Sequence, residues 1–263
     1  MDLQLRGKTA FISGSTRGIG AAIASTLAAE GARVIVNGRS EQAVGRAVAE
    51  LRRAHPDAPH DGIAADFADP ASVERLLAEF GDVDILVNNV GLFGLTSFES
   101  VSDDEWSHLL EVNLMSGVRL SRHVLPSMLE RGWGRVLFVS SESGVDVPAD
   151  MIHYGVTKAA MIALGNGLAK RTRGTAVTVN TILGGPSYSD GVAAVVESIA
   201  AEQSAPVEAV KASIIGRNHT TLLERFIDPA EIASMAAYLA SPLASATNGA
   251  AVRVDGGVLT GML

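Results

Sequence analysis

Along the chain, short β-branched runs alternate with Ala-rich amphipathic segments almost from end to end. The runs Thr9–Ser13, Arg33–Asn37, Gly62–Ala65, Val83–Asn88, Val136–Ser140, Ala176–Ile182 and Ala251–Val254 read as strands. They are apolar at successive positions rather than alternate ones, the pattern of strands covered on both faces. Ile19–Glu30, Glu41–Ala54 and Pro70–Phe80 read as helices, the first stopped by Gly31 and the second ended before Pro56. Another apolar helix opens near Tyr154 and runs to about Lys170. This rhythm predicts one α/β domain over 1–263, a doubly wound parallel sheet with right-handed crossovers and helices on both faces. The rhythm breaks from Gly184 to about Asp228, where Val192–Ala212 carries helical periodicity and no strand appears. A long strandless insertion after a late strand reads as a helical substrate lid, at about 187–228.

Composition narrows the chemistry. With 263 residues the chain can bury a sizeable core. It has no cysteine, which removes disulfides, thiolate metal sites and thiol nucleophiles together. Its six histidines form neither a cluster nor an H-E-x-x-H pattern, so no metal is expected. A net charge of −8 weighs against nucleic acid and anionic membranes as partners. No run approaches the ~18–20 apolar residues of a membrane helix, and the first residues lack a basic start followed by an apolar stretch. A cytoplasmic protein is expected.

The first strand runs into Ser13-Gly14-Ser15-Thr16-Arg17-Gly18-Ile19-Gly20 and then a helix. A helix N-terminus offers free N–H groups and a positive dipole end to a phosphate, and glycines let the backbone approach it closely. The spacing is G-x-x-x-G-x-G; the strand-turn-helix setting separates it from an ordinary turn and predicts dinucleotide binding. NAD enzymes place an acid at the end of the second strand for the ribose 2′-OH. Here that position reads Val36-Asn37-Gly38-Arg39-Ser40, without a carboxylate, and Arg17 lies on the same side. Two cations and no acid favour NADP(H) over NAD(H).

Tyr154 and Lys158 stand four apart and so share one helix face. A phenol of ordinary pKa ~10 moves a proton poorly at neutral pH, and a neighbouring ammonium favours the phenolate. Tyr-x-x-x-Lys thus suits proton transfer, although the pair alone occurs by chance on many helices. Ser141, at the carboxyl end of its strand, is placed to hydrogen-bond a substrate oxygen, and Asn88-Asn89-Val90-Gly91 ends a strand at the same edge.

Taken together and in order, these motifs resemble the short-chain dehydrogenase/reductase family from Gly7 to Gly257, closest in look to 3-oxoacyl-carrier-protein reductases. The resemblance rests on Gly14-x-x-x-Gly18-x-Gly20, Asp66-Phe67, Asn88-Asn89-Val90-Gly91, Asn113, Ser141 and Tyr154-x-x-x-Lys158. It implies a Rossmann fold and the interconversion of a ketone and a secondary alcohol by hydride transfer. It implies that Tyr154 is the general acid/base, that Lys158 lowers its pKa and holds the nicotinamide ribose, that Ser141 polarises the carbonyl, and that Asn113 holds a water. The implied cofactor contacts are Gly14, Ser15, Thr16, Arg17, Gly18, Ile19, Gly20 and Arg39 at the turn, and Asp66 and Phe67 at the adenine. Asn88, Val90 and Gly91 follow beside the ribose, then Gly185, Ser187 and Ser189 at the nicotinamide. Gly184 stands where the family often has proline, and Val90 where alanine is more usual. The implied assembly is a homotetramer or homodimer, and the implied partner a small-molecule or acyl carbonyl substrate. The substrate pocket is expected from 142–151, 92–96 and 190–225. Lys211, Arg217, His219 and Arg225 are candidates for an anionic substrate group, and Arg131, Arg171 and Arg173 for an acidic carrier protein. A non-catalytic dinucleotide-binding regulator is the alternative on the same fold.

Overall fold

The computed structural model describes residues 1–217 and 220–262. Seven parallel strands form one sheet: β1 (Thr9–Ile12), β2 (Arg33–Gly38), β3 (Asp61–Ala64), β4 (Ile85–Asn88), β5 (Trp133–Ser141), β6 (Ala176–Gly184) and β7 (Ala251–Val254). Their spatial order is β3-β2-β1-β4-β5-β6-β7. The order reverses direction between β1 and β4, and a doubly wound sheet opens a crevice at the carboxyl ends of its strands there.

The helices are α1 (Gly18–Ala29), α2 (Glu41–Ala54), α3 (Pro70–Glu79), α4 (Asp103–Leu109), α5 (Ser116–Arg131), α6 (Ile152–Ala169), α7 (Asp190–Gln203), α8 (Val207–Arg217) and α9 (Pro229–Ala240). Adjacent strand residues serve opposite layers. Ala10 and Ile12 join a core with Ile23 and Leu27 of α1, Val44 and Val48 of α2, and Ile232 and Ala236 of α9. Phe11 between them joins the other core, with Val73 of α3, Leu120 and Val124 of α5 and Met161 of α6. This two-sided burial is why the strands carry no alternation in the sequence.

Two elements depart from the periodicity. The helical stretch expected over Val192–Ala212 is two helices, α7 and α8. Ser204 takes a left-handed φ of 49° at the end of α7, and Pro206 follows. Proline lacks the N–H that would continue the helix, and it disfavours helical geometry at the residue before it. Around them, Val196, Ala200 and Val210 form a small core of their own, apart from the two main ones. The second departure is a π-helical turn, Leu110–Met115, between α4 and α5. One extra residue per turn shifts the face that the chain presents, and such turns concentrate at functional sites.

Among the described residues, no helix is long and apolar enough to cross a membrane.

Candidate active site

The glycine turn is held by residues distant in sequence. Gly14 and Gly18 take left-handed φ values of +62° and +58°, which glycine adopts without Cβ strain. The N–H of Gly14 donates to Asn37 Oδ1 (3.0 Å), and Asn89 Nδ2 donates to the carbonyls of Ser13 (3.0 Å) and Gly14 (2.9 Å). Ser15 turns inward: its hydroxyl donates to Ile12 O (2.7 Å) and accepts from Asn37 N (3.0 Å), so the fold itself uses that side chain. Thr16 lays its methyl over Gly38, where any Cβ would meet it at 2.5 Å. A Cβ at Gly20 would stand 2.3 Å from Gly14 O and 2.5 Å from Asn89 Nδ2. Backbone cannot yield to that overlap cheaply. Gly20→Ala is therefore expected to weaken dinucleotide affinity at least about tenfold and to lower the melting temperature, as read by fluorescence titration and calorimetry.

The turn fits the pyrophosphate of a nicotinamide dinucleotide. The amides of Ile19 and Gly20 point out of the start of α1, its first turn carries no acid of its own, and glycine leaves room for close approach. Arg17 and Arg39 are exposed, and neither forms an ion pair among the described residues. Asp190, the first residue of α7, places Oδ2 2.6 Å from the N–H of Gly18. A side-chain carboxylate thus sits at the helix terminus that attracts anions.

The second half of the site gathers at the ends of β4, β5 and β6. Ser141 closes β5, paired in register with Gly184 of β6. Its Oγ accepts from the N–H of Ser143 (3.1 Å) and donates to the carboxylate of Glu142. Tyr154 and Lys158 rise from the first turns of α6. Lys158 Nζ lies 5.5 Å from the Tyr154 ring centre and donates to Val139 O (2.9 Å). Phe93 meets the Tyr154 ring edge-on at 6.5 Å. A Cβ at Gly91 would sit 3.4 Å from Lys158 Nζ and 3.7 Å from Asn113 Oδ1, so this glycine keeps the approach to the lysine open.

Asn113 lies in the π-helical turn and is fully buried. Its Oδ1 accepts from Leu92 N (2.7 Å), and its Nδ2 donates to Leu92 O (2.9 Å) and to Thr157 Oγ1 (3.0 Å). Thr157 in turn donates to Tyr154 O (2.7 Å). Asn113 thus ties the loop after β4 to the helix that carries Tyr154.

The electrostatics differ from the expectation that lysine acidifies the phenol. Burial, and then the nearby Glu142 carboxylate, push the Tyr154 hydroxyl above its ordinary value, and the hydrogen bond with Ser141 only partly opposes this. Burial pushes Lys158 down to about 8, with Glu142 pulling the other way. Glu142 is itself pushed up by burial, against hydrogen bonds from Ser141 and Ser143. At neutral pH the tyrosine is a protonated donor and the lysine is largely cationic.

The remaining sequence-predicted residues are placed as follows. Ile19, Val90, Gly91 and Ser189 stand at the turn or cleft: Val90 Cα would lie 3.1 Å from a Cβ on Gly14, and Ser189 Cβ 3.4 Å from one on Gly18. Asp66 caps the loop after β3 by accepting from Ala68 N (3.0 Å), while Phe67 is buried in the core. Asn88 points inward rather than to the cleft. It is buried, its Nδ2 lies 3.3 Å from Ser121 Oγ, and its Oδ1 has no partner among the described residues. Gly185 needs to be glycine because a Cβ would strike the Asp255 backbone at 2.6 Å. Gly184 is held in register between Ser141 and Val254, so the missing proline leaves no loose strand end. Ser187 Oγ is buried without a partner among the described residues, a polar atom suited to a cofactor group.

Several cations weighed as substrate or carrier contacts are otherwise engaged. Arg225 holds Glu231 through both terminal nitrogens (2.8 and 2.9 Å), and Lys211 holds Glu208 (3.0 Å) and covers the Tyr188 ring. Arg131 pairs with Asp82 (2.8 Å) and donates to Val83 O. His219 lies outside the described residues. No metal-binding group of three or more His, Cys, Asp or Glu occurs among the described residues. A cavity of about 570 Å³ opens beside the site between the segments 95–99 and 149–152. Sequence reasoning missed Asn37, Asn89 and Asp190, which act across long sequence separations.

The family model for short chain dehydrogenases matches residues 8–200. The chain belongs to the short-chain dehydrogenase/reductase family. It is an oxidoreductase of that family, with the family's nucleotide-binding fold. It is 42% identical to the oxidoreductase YvaG of Bacillus subtilis, over 98% of each chain. It is 35% identical to the 3-oxoacyl-[acyl-carrier-protein] reductase FabG of Vibrio cholerae, over 97% of this chain and 99% of that one. Among solved structures, the L-sorbose reductase of Gluconobacter frateurii, complexed with NADPH and L-sorbose, superposes with a TM-score of 0.92 at 30% identity, and each chain is covered completely.

Proposed function

We propose that this short-chain dehydrogenase/reductase is an NADP(H)-dependent reductase that interconverts a ketone and a secondary alcohol, with Tyr154 as general acid/base. The observation that carries this reading is the meeting of Tyr154, Ser141, Lys158 and Asn113 beside the glycine turn, at the crevice of the sheet. A bound reduced nicotinamide supplies a hydride to the carbonyl carbon. Tyr154 gives its hydroxyl proton to the carbonyl oxygen, Ser141 orients that oxygen, and the Lys158 ammonium stabilises the phenolate left behind. Hydride plus proton turns the carbonyl into a secondary alcohol. In reverse, Tyr154 as phenolate takes the proton of the alcohol, and its burial opposes that charged form. The cofactor contacts are Gly14 and Ser15, whose own amides are held by Asn37, the Gly18 amide in place of Asp190, and the amides of Ile19 and Gly20, with Thr16 beside them. Asp66 and Phe67 serve the adenine, and Val90, Gly91, Gly185, Ser187 and Ser189 the remainder. Purified protein is expected to oxidise NADPH in the presence of small ketones, and absence of turnover across a ketone panel would contradict the reading.

The preference for NADP(H) over NAD(H) rests on Arg39 and Arg17. Both stand exposed at the end of β2 and in the turn, with no carboxylate at the end of β2 to receive a ribose 2′-OH. An arginine fork binds a phosphate bidentately and gains little from a hydroxyl. Arg39→Ala is expected to weaken NADPH binding about tenfold or more while changing NADH affinity less than threefold, as read by titration. Equal loss for both dinucleotides would contradict the assignment.

The segment 187–228 acts as the lid. Its helices close a core separate from the main ones, and it reaches the glycine turn through Asp190. The protein works in the cytoplasm as a homotetramer or homodimer. Val145 and Val156 leave exposed apolar surface around α6 suited to a second copy.

A further inference from the structure

The stretch from Gly91 to Thr96, beyond the end of β4, is pinned at both ends. Asn113 holds the N–H and the carbonyl of Leu92 (2.7 and 2.9 Å), and the N–H of Thr96 donates to Asp150 O (3.0 Å). Exposure alternates along it: Leu92, Gly94 and Thr96 are half-buried, while Gly91, Phe93 and Leu95 are exposed. Alternation of this kind marks a chain whose successive residues point to opposite sides, so the three exposed positions share a face.

That face leads outward from the proposed reacting centre. A Cβ at Gly91 would lie 3.4 Å from Lys158 Nζ, and the Phe93 ring meets the Tyr154 ring edge-on at 6.5 Å. Leu95 lines the cavity of about 570 Å³. On its other side, a ring carbon of Phe93 stands 3.6 Å from the place of a Cβ on Gly191, in the first turn of α7. Phe93 thus lies between the helix that carries Tyr154 and the first helix of the lid. It is nevertheless 44% exposed, and Leu95 is 62% exposed, so apolar surface beside the tyrosine is left uncovered. The cavity beyond continues it. Leu95, Phe98, Ala149 and Ile152 line it beside the acids Glu99 and Asp150, and none of its lining residues is basic.

We propose that Phe93 is the specificity-determining residue of this site, selecting ketones that carry an apolar arm, aryl or alkyl, long enough to run from Phe93 to Leu95. This rests on the reductase reading above. Two residues of an extended chain span about 7 Å, which is the reach of a phenylethyl group from a carbonyl carbon. With the carbonyl oxygen at the Tyr154 hydroxyl, such an arm covers the open side of the Phe93 ring and ends at the mouth of the cavity. Covering it removes apolar surface of both partners from water, and a phenyl arm packs on the ring offset or edge-on. A change of one methylene in an enclosed apolar pocket is worth about 10–200-fold in specificity, so a whole arm on a wall open at one side should be worth at least about tenfold.

The test compares 4-phenyl-2-butanone with 2-butanone, which lacks only the phenyl group, and with 3-hydroxy-2-butanone, whose added group is polar, each with saturating NADPH. The wild type is expected to show kcat/KM at least about tenfold higher for the phenyl ketone than for either small one. Phe93→Ala should bring the phenyl ketone and 2-butanone within about threefold of each other. Phe93→Leu, which keeps an apolar wall, should hold their ratio within about threefold of the wild type's. A shift of Tyr154 on losing its ring contact would slow all three ketones alike, and ratios within one variant cancel it. Circular dichroism with NADPH titration establishes that each variant folds. A wild type without the preference, or a ratio that Phe93→Ala leaves unchanged or raises, would overturn the role of Phe93 and leave the reductase reading standing. NADPH binding without turnover of any of the three, or of a wider ketone panel, would overturn both.

Discussion

Tyr154→Phe is expected to bind NADPH within about twofold of the wild type and to reduce ketones at least about 10²-fold more slowly. The substitution removes one oxygen. The ring keeps its edge contact with Phe93, and the backbone keeps the Thr157 bond that ties it to Asn113. What disappears is the group that hands a proton to the developing alkoxide, a contribution typically of 10²–10⁴ in rate. Because the hydroxyl acts only once the oxygen gains charge, the loss should fall mainly on kcat, with KM nearly unchanged. An equal loss of NADPH affinity would instead assign the tyrosine to binding.

Lys158→Met is expected to lower ketone reduction by about 10²-fold or more and to remove the alkaline limb of the pH profile. Methionine is unbranched and apolar, so it fills much of the buried channel without the charge. The sign follows from the two shifts. Lys158 is held down to about 8, so its cation is present below that pH and is lost above it. Tyr154 is pushed above its ordinary value, so it stays protonated through the same range. With NADPH saturating, wild-type kcat/KM for a ketone should be flat from pH 6 to 7 and decline above about pH 8, one proton lost per molecule. The variant should be slow and flat across that range. A limb near pH 8 that survives in Lys158→Met would mean that another group produces it.

The fold was legible because each strand is covered on both faces. Continuous runs such as Phe11-Ile12 and Leu86-Val87 exclude an open antiparallel sheet, and the intervening helices then dictate parallel order. The glycine turn and the Tyr154/Lys158 pair were legible because their chemistry is local: a strand-turn-helix junction, and two residues one helical turn apart. What escaped was non-local or depended on burial. Asn37 on β2 and Asn89 just after β4 hold Gly14 across 23 and 75 residues, and Asp190 reaches Gly18 across 172. No periodicity marks such pairs. The π-helical turn hides because its extra residue leaves the apolar pattern of α4 and α5 nearly intact. The break at Ser204–Pro206 was marked by its proline, but apolar spacing on both sides favoured a single helix.

The acidity of Tyr154 shows the limit of spacing arguments most clearly. Four residues of separation placed an ammonium near the phenol, as expected, yet the amine turns to the Val139 carbonyl and burial outweighs it. Glu142 was visible in the sequence only as one of several acids in a pocket segment. Its effect on the tyrosine comes from its inward orientation and its bond with Ser141. Burial and Glu142 thus hold Tyr154 in its protonated form.

The most direct measurement follows the hydride itself. NADPH deuterated at the transferable C4 position, incubated with 3-hydroxy-2-butanone and the protein, is expected to give a diol carrying deuterium at the new carbinol carbon, with transfer slowed at least about 10²-fold in Tyr154→Phe. A diol without label, or label transfer at an undiminished rate when the tyrosine hydroxyl is gone, would contradict this account.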